Sequence, residues 1–125
     1  MLQAQDVKSL LKNVKAKYDI VNDYTALSNL IPSGPNQYVV IMTFGYRSDD
    51  IALRALLNKP FNYIGVLGSK TKMEKMFAEY RNDGINEEAL QRIHSPIGLD
   101  INSQTPEEIA VSIAAEIIRV KNQQP

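Results

Sequence analysis

Apolar residues recur along this chain in two rhythms, every third or fourth position and in short unbroken runs, and the two alternate. Asp6 to Tyr18 has the first rhythm. Val7, Leu10, Leu11 and Val14 make one stripe and Lys8, Lys12, Lys15 and Lys17 line the other side, which predicts an amphipathic helix with Asp6 as its N-cap. Asp19-Ile20-Val21 reads as a short strand. Asp23 caps a second short helix through Leu30, with Ala26, Leu27 and Leu30 turned inward. Two prolines and a glycine in Ile31–Asn36 make a turn. Tyr38 to Thr43 is β-branched and continuous, so it predicts a strand that is central and parallel. A helix from Asp49 to Asn58 follows, with Ile51, Leu53, Ala55, Leu56 and Leu57 in the core, and Lys59-Pro60-Phe61 ends it.

Tyr63 to Leu67 is a second buried strand, and Gly68-Ser69 stops it. The helix that follows carries Met73, Met76, Phe77 and Tyr80 on one face, with Ser69 as N-cap. Tyr38 to Leu67 is thus a strand–helix–strand unit of about thirty residues. In such a unit both strands run the same way, so the loops after them, Thr43-Phe44-Gly45 and Gly68-Ser69, share one edge of the sheet. Open α/β sheets bind ligands at that edge. Asn86 caps a short helix to Ile93. His94 to Ile101 reads as a loop with apolar anchors. Thr105-Pro106-Glu107-Glu108 has a cap, a proline at the first helical position and the second half of a capping box. The helix it starts runs to Lys121, with Ile109, Ile113, Ile117 and Val120 on one face and Ala110, Ala114 and Ala115 allowing close packing. The fold class is α/β: a short, mostly parallel sheet of three or four strands with helices on both faces, one domain across the 125 residues.

Composition narrows the function. Fourteen basic and fourteen acidic side chains cancel, which gives no reason to expect nucleic acid or an acidic membrane surface as partner. The chain has no cysteine, so thiol nucleophiles, disulfides and thiolate metal sites are excluded. Apolar runs are too short to span a bilayer, and the N-terminus lacks the pattern of a signal peptide, so a cytoplasmic location is expected. No metal cluster, catalytic triad or carboxylate dyad emerges, and the expected role is accessory rather than catalytic.

One arrangement carries chemistry. A strand that feeds a helix through Gly68-Ser69 leaves backbone N–H groups facing a small space, and this suits an anion. Lys70 and Lys72 stand in that first turn, where they oppose the helix dipole unless an anion is bound; they are either solvated surface lysines beside an ordinary turn or part of an anion site. Gly65-x-x-Gly68 is neither a Gly-x-Gly-x-x-Gly fingerprint nor a Walker sequence. Asp49 either caps its helix or orients a ligand, and Thr43 either bonds a ligand or satisfies a turn. His94, the single histidine, is either structural or catalytic.

Tyr63-Ile-Gly-Val-Leu-Gly-Ser-Lys-x-Lys72, His94-Ser-Pro-Ile-Gly-Leu-Asp-Ile101 and Thr105-Pro-Glu-Glu-Ile-Ala-Val-Ser-Ile-Ala-Ala-Glu-Ile117, in this order and spacing, resemble the C-terminal Rossmann-type domain of the xanthine dehydrogenase accessory proteins, the XdhC and CoxI group. The resemblance covers Tyr38 to Ile118. It implies a maturation role: binding the molybdenum cofactor, a pterin bearing a phosphate or nucleotide, and assisting its sulfuration and insertion into a molybdenum hydroxylase such as xanthine dehydrogenase. The contacts it implies are Thr43, Asp49, Gly65, Gly68, Ser69, Lys70, Lys72, His94 and Ser95. Thr43 and Asp49 match the family's Thr-His-x-His-x-x-Asp stretch, but Phe44 and Tyr46 stand where the histidines would be. The family's glycine-rich half and its separate cysteine-bearing domain are not visible here. A sheet without that half exposes an edge, which favours a homo-oligomer. The alternatives are an NAD(P)-binding oxidoreductase-like domain and a pure protein-interaction module.

Overall fold

The computed structural model describes residues 23–123. The helix expected over Asp6–Tyr18 and the strand expected at Asp19–Val21 lie outside them. Asp23 accepts from the Thr25 amide and starts a 3-10 turn, Tyr24–Ala26, which runs into α1 (Leu27–Leu30). Then come β1 (Gly34–Ile41), α2 (Tyr46–Leu56), β2 (Phe61–Val66), α3 (Lys70–Asn82), α4 (Glu87–Gln91), β3 (Ile93–His94) and α5 (Pro106–Asn122). The sheet is parallel in the order β1-β2-β3, with Tyr38 opposite Tyr63, Ile41 opposite Val66 and Ile64 opposite Ile93.

Side chains alternate across β2, and this makes three layers. Ile64 and Val66 point to one face, where Leu53 and Leu56 of α2, Met73, Met76 and Tyr80 of α3, and Ala89 and Leu90 of α4 form the larger core. Tyr63 points to the other face and meets Ile97 and Ile113, with Ile109, Ile117 and Val120 of α5 packed around them. This is the α/β/α arrangement expected. The helix starts are also as expected: Ser69, Asn86 and Thr105 each accept from an amide in the first turn, and Thr105 and Glu108 complete the capping box.

Several local expectations are corrected. Leu30 is exposed rather than inward, because α1 is one turn long and only Leu27 reaches the core. β1 begins at Gly34, inside the expected turn, and its register with β2 is irregular between Gly34 and Tyr38. It is an edge strand among the described residues, and β2 is central; β-branching reports packing, not position in a sheet. β3 takes the last residue of the expected helix, Ile93, and the first of the expected loop, His94, since two residues show no period of their own. Ala110 and Ala114 face solvent, and so does Ile101.

Two tyrosines are wholly inside. Tyr63 stacks beneath α5, and Tyr80 lies under Arg54, whose guanidinium carbon is 4.5 Å from the ring centroid. Burial pushes both phenols above the ordinary value of 10.0, and hydrogen bonds to Glu116 and Asp50 respectively push further. A phenol raised in the folded state contributes its stability fully below the unfolded pKa and loses it as pH climbs toward the folded one. Urea unfolding is therefore expected to hold steady up to about pH 10 and then to weaken by about 1.4 kcal/mol per pH unit for each tyrosine. In Tyr80→Phe the slope should fall by about 1.4 kcal/mol per pH unit, one tyrosine's share; an unchanged slope would show that Tyr80 does not carry it.

Candidate functional site

The exits of β1 and β2 meet. The Leu67 amide donates to the Ile41 carbonyl at 2.9 Å, so the two loops start side by side. Beyond that point Asp49 joins them. Its Oδ1 accepts from the Thr43 amide at 3.0 Å and from the Thr43 hydroxyl at 2.8 Å, and its Oδ2 takes the Lys72 ammonium from α3. Lys72 also donates to the Leu67 carbonyl at 3.3 Å. Asp49 is only 1% exposed. Its reading as a helix cap is corrected: α2 starts three residues earlier, on Gly45, whose extended backbone supplies the cap position without a side chain. The carboxylate is thereby released to bind the loop before its helix and the helix after the next strand.

At the second loop Ser69 Oγ accepts from the Lys72 amide at 3.1 Å, and its carbonyl accepts from the Met73 amide at 3.0 Å. The Lys72 stem folds back over Gly68, where a Cβ would lie 3.0 Å from Lys72 Cδ. Gly68 therefore lets the lysine reach Asp49. Lys72 turns inward, while Lys70 stays exposed. The Lys70 and Thr71 amides have no protein acceptor among the described residues.

Gly65 and His94 lie apart from this rim, while Ser95 shares a hollow with Lys70. Gly65 is buried in mid-strand, where a Cβ would come within 2.7 Å of Ile97 and 2.9 Å of the Tyr63 hydroxyl. The His94 ring stacks on Tyr63 at 4.4 Å with an interplanar angle of 16°. Its Nδ1 is 3.6 Å from Glu116 Oε1. Ser95 Oγ is buried without a hydrogen-bond partner among the described residues. Glu116 was not among the expected site residues, yet it organises this group: the Tyr63 hydroxyl donates to it at 2.6 Å and the Gly98 amide at 3.0 Å. The signal was its place three residues after Ile113 and four before Val120, on the buried stripe of α5.

The residues in place of the two histidines diverge. Phe44 is 72% exposed at the loop tip. Tyr46 instead lies against α3: it donates to Glu79 at 2.9 Å, and Lys75 sits 5.0 Å from its ring centroid. Burial and the Glu79 carboxylate push its phenol up to about 12.

Between the α3 start and the loop after β3 runs a cleft of about 500 Å³, walled by Leu67, Pro96, Ile97, Leu99 and Ile109, with Lys70 at one side and Asp100 at another. A smaller hollow of about 260 Å³, bordered by Phe77, Arg81 and Ser95, opens on the other side of Lys70. Clefts of the larger size hold small molecules. No helix among the described residues is long and apolar enough to cross a membrane.

The family profile of the XdhC Rossmann domain matches residues 3–117, reaching well upstream of Tyr38. A protein of Escherichia coli (strain K12), named only as uncharacterized protein YqeB, is 38% identical over 91 residues, which are 73% of this chain and 16% of that protein. A probable xanthine dehydrogenase subunit of Bacillus subtilis (strain 168) is 32% identical over 87 residues, 70% of this chain and 24% of the relative. The crystal structure of a xanthine dehydrogenase from Bacillus halodurans superposes with a TM-score of 0.68 at 33% identity, over 85% of this chain and 30% of that one. The chain thus spans less than a third of the length of each of these.

Proposed function

This chain belongs to the XdhC Rossmann-domain family, and from that membership we propose that it is an accessory domain in a xanthine dehydrogenase system, holding the molybdenum cofactor by its phosphate for a molybdenum hydroxylase. The similarity to a probable xanthine dehydrogenase subunit and to a solved xanthine dehydrogenase supports the association with that system. The observation that carries the binding reading is the cleft beside the start of α3. There the Lys70 and Thr71 amides and the Lys70 ammonium are available to a phosphate, and the apolar wall of Leu67, Pro96, Ile97 and Leu99 is available to a flat ring.

These residues fit a phosphate-bearing heterocycle, in a division of labour. Lys70, with the amides at Ser69-Lys70-Thr71, would hold the anion. Thr43, Asp49, Gly68 and Lys72, bonded or packed to one another, would hold the rim in shape. The cofactor's metal centre supplies hydroxylation chemistry to the enzyme that receives it; this chain binds and orients.

Lys70→Ala is the clean probe, because Lys72→Ala would also break the pair with Asp49. Losing one exposed charge-assisted contact is expected to weaken binding of the phosphate-bearing ligand by about tenfold, with the unfolding midpoint unchanged. Mass spectrometry of small molecules retained through native purification identifies that ligand. A pterin phosphate or pterin dinucleotide supports the proposal. NAD(P) in its place favours the oxidoreductase-like alternative. No retained molecule, with Lys70→Ala still fully supporting hydroxylase maturation, favours a protein-interaction module.

A further inference from the structure

Among the described residues two charged side chains border the cleft of about 500 Å³, and they are of opposite sign: Lys70 and Asp100. They come from different elements. Lys70 opens α3, and Asp100 stands on the loop after β3. The α3 lysine that takes a carboxylate is Lys72, and its carboxylate is Asp49. Asp100 is exposed and enters no ion pair among the described residues. The serines that line the same cleft are engaged. Ser103 Oγ donates to the Glu108 carbonyl at 3.1 Å, and Ser112 Oγ donates to the Ile109 carbonyl at 3.0 Å.

The backbone that carries Asp100 is tied down on both sides. Before it, the Gly98 amide donates to Glu116 Oε1 at 3.0 Å and the Leu99 amide to the Ser112 carbonyl at 3.1 Å. After it, the Gln104 and Thr105 amides donate to Glu108 Oε1 at 2.6 Å and 3.1 Å. Between these anchors Asn102 takes a φ of 57°, a left-handed conformation that asparagine tolerates better than most residues. Gln104 Nε2 closes the bend on the Asn102 carbonyl at 3.0 Å. A free carboxylate thus sits on a span pinned to α5 at each end, so little ordering is left to a ligand that meets it.

A carboxylate in a cleft that receives an anion at Lys70 disfavours a ligand that is anionic throughout. It favours one that brings N–H donors to the far end. Resting on the phosphate reading of Lys70, we propose that Asp100 is a specificity residue of the cleft, accepting from the adjacent ring N–H and amino N–H of a 2-amino-4-oxopyrimidine edge. A pterin and a guanine share that edge. The two oxygens of one carboxylate match its two neighbouring donors. Adenine sets a ring acceptor beside its amino group, and nicotinamide sets a carbonyl there, so neither satisfies both oxygens. The ligand class is a heterocycle with a phosphate at one end and paired donors at the other, its ring lying on Leu67, Ile97 and Leu99 between them.

Calorimetric titration of the 125-residue chain with guanosine, inosine and adenosine 5′-monophosphates tests this, since the three carry the same phosphate and differ at that edge. Guanosine monophosphate is expected to bind tightest, and inosine monophosphate, which lacks the amino group, about tenfold more weakly. Adenosine monophosphate should be weaker again. In Asp100→Asn the three should converge, with the unfolding midpoint unchanged. Lys70→Ala should instead weaken all three by a common factor and keep their order. Equal binding of the three by the wild-type chain overturns the proposal, while a common loss in Lys70→Ala leaves the phosphate reading standing. An equal gain for all three in Asp100→Asn overturns it as well, because Asp100 would then only repel the anion. Absence of guanosine monophosphate binding at millimolar concentration also overturns it. A pterin retained equally by wild type and Asp100→Asn through native purification would confine that failure to Asp100; with no molecule retained by either, the phosphate reading falls too.

Discussion

Asp49→Ala is expected to lower the unfolding free energy by about 3–5 kcal/mol, read as a shift of the urea midpoint at unchanged slope. The carboxylate is 1% exposed and makes three bonds: two from Thr43 and the ion pair with Lys72. Alanine leaves the Thr43 amide without an acceptor and an ammonium in a site built for a pair. Lys72 is 23% exposed, so water recovers part of its loss, and this sets the lower end of the range. Lys72→Met is the reverse experiment. It strands a buried carboxylate with only the Thr43 donors and is expected to lose as much. Because each single substitution leaves the other member of the pair unpaired, and the double variant leaves neither, the double variant should lose clearly less than the sum, with a coupling of about 1.5–3 kcal/mol. Strict additivity would show that the rim does not depend on the pair. Asp49→Asn keeps an acceptor for Thr43 but not the charge and should fall between wild type and alanine.

The same residue shows where the sequence stops being legible. The elements with local signals were readable: the capping box at Thr105–Glu108, the Ser69 and Asn86 caps, and the buried runs that became β1 and β2. So was the meeting of the two exit loops, because a strand–helix–strand unit leaves parallel strands no other arrangement. Asp49 beside a helix start looked like a cap because caps are the commonest use of such a residue. Its real partners lie six residues back and twenty-three ahead, and no local rule sees that far. Lys70 and Lys72 looked equivalent for the same reason; a buried carboxylate two elements away turns one inward and leaves the other in water. β3 was unreadable because it is held by pairing with Ile64 and Gly65 and not by a pattern of its own. The position of β1 in the sheet depends on which strands are present beside it, and its composition carries no record of that.

On the opposite face Glu116→Ala is expected to lower stability by about 3–4 kcal/mol, since two buried donors lose their acceptor at about 1–3 kcal/mol each. The donors are the Tyr63 hydroxyl and the Gly98 amide, and both belong to the wall between the sheet and the loop after β3. Gly98 has φ of 92° and leaves no room for a side chain against Ser112, so this loop is held in one shape by its glycine and by the carboxylate behind it. The control is Glu116→Gln, whose carbonyl can still accept from one donor; it is expected to lose about half as much. A loss equal in both would assign the effect to the charge, through His94 at 3.6 Å and Arg119 at 3.9 Å. A loss under about 1 kcal/mol in Glu116→Ala would show that α5 holds the loop by packing alone. The consequence reaches the cleft. Pro96, Ile97 and Leu99 are its wall, and they are fixed to α5 through Gly98. Ligand retention should therefore fall in Glu116→Ala under conditions where the protein remains folded, although Glu116 is buried at the back of the wall.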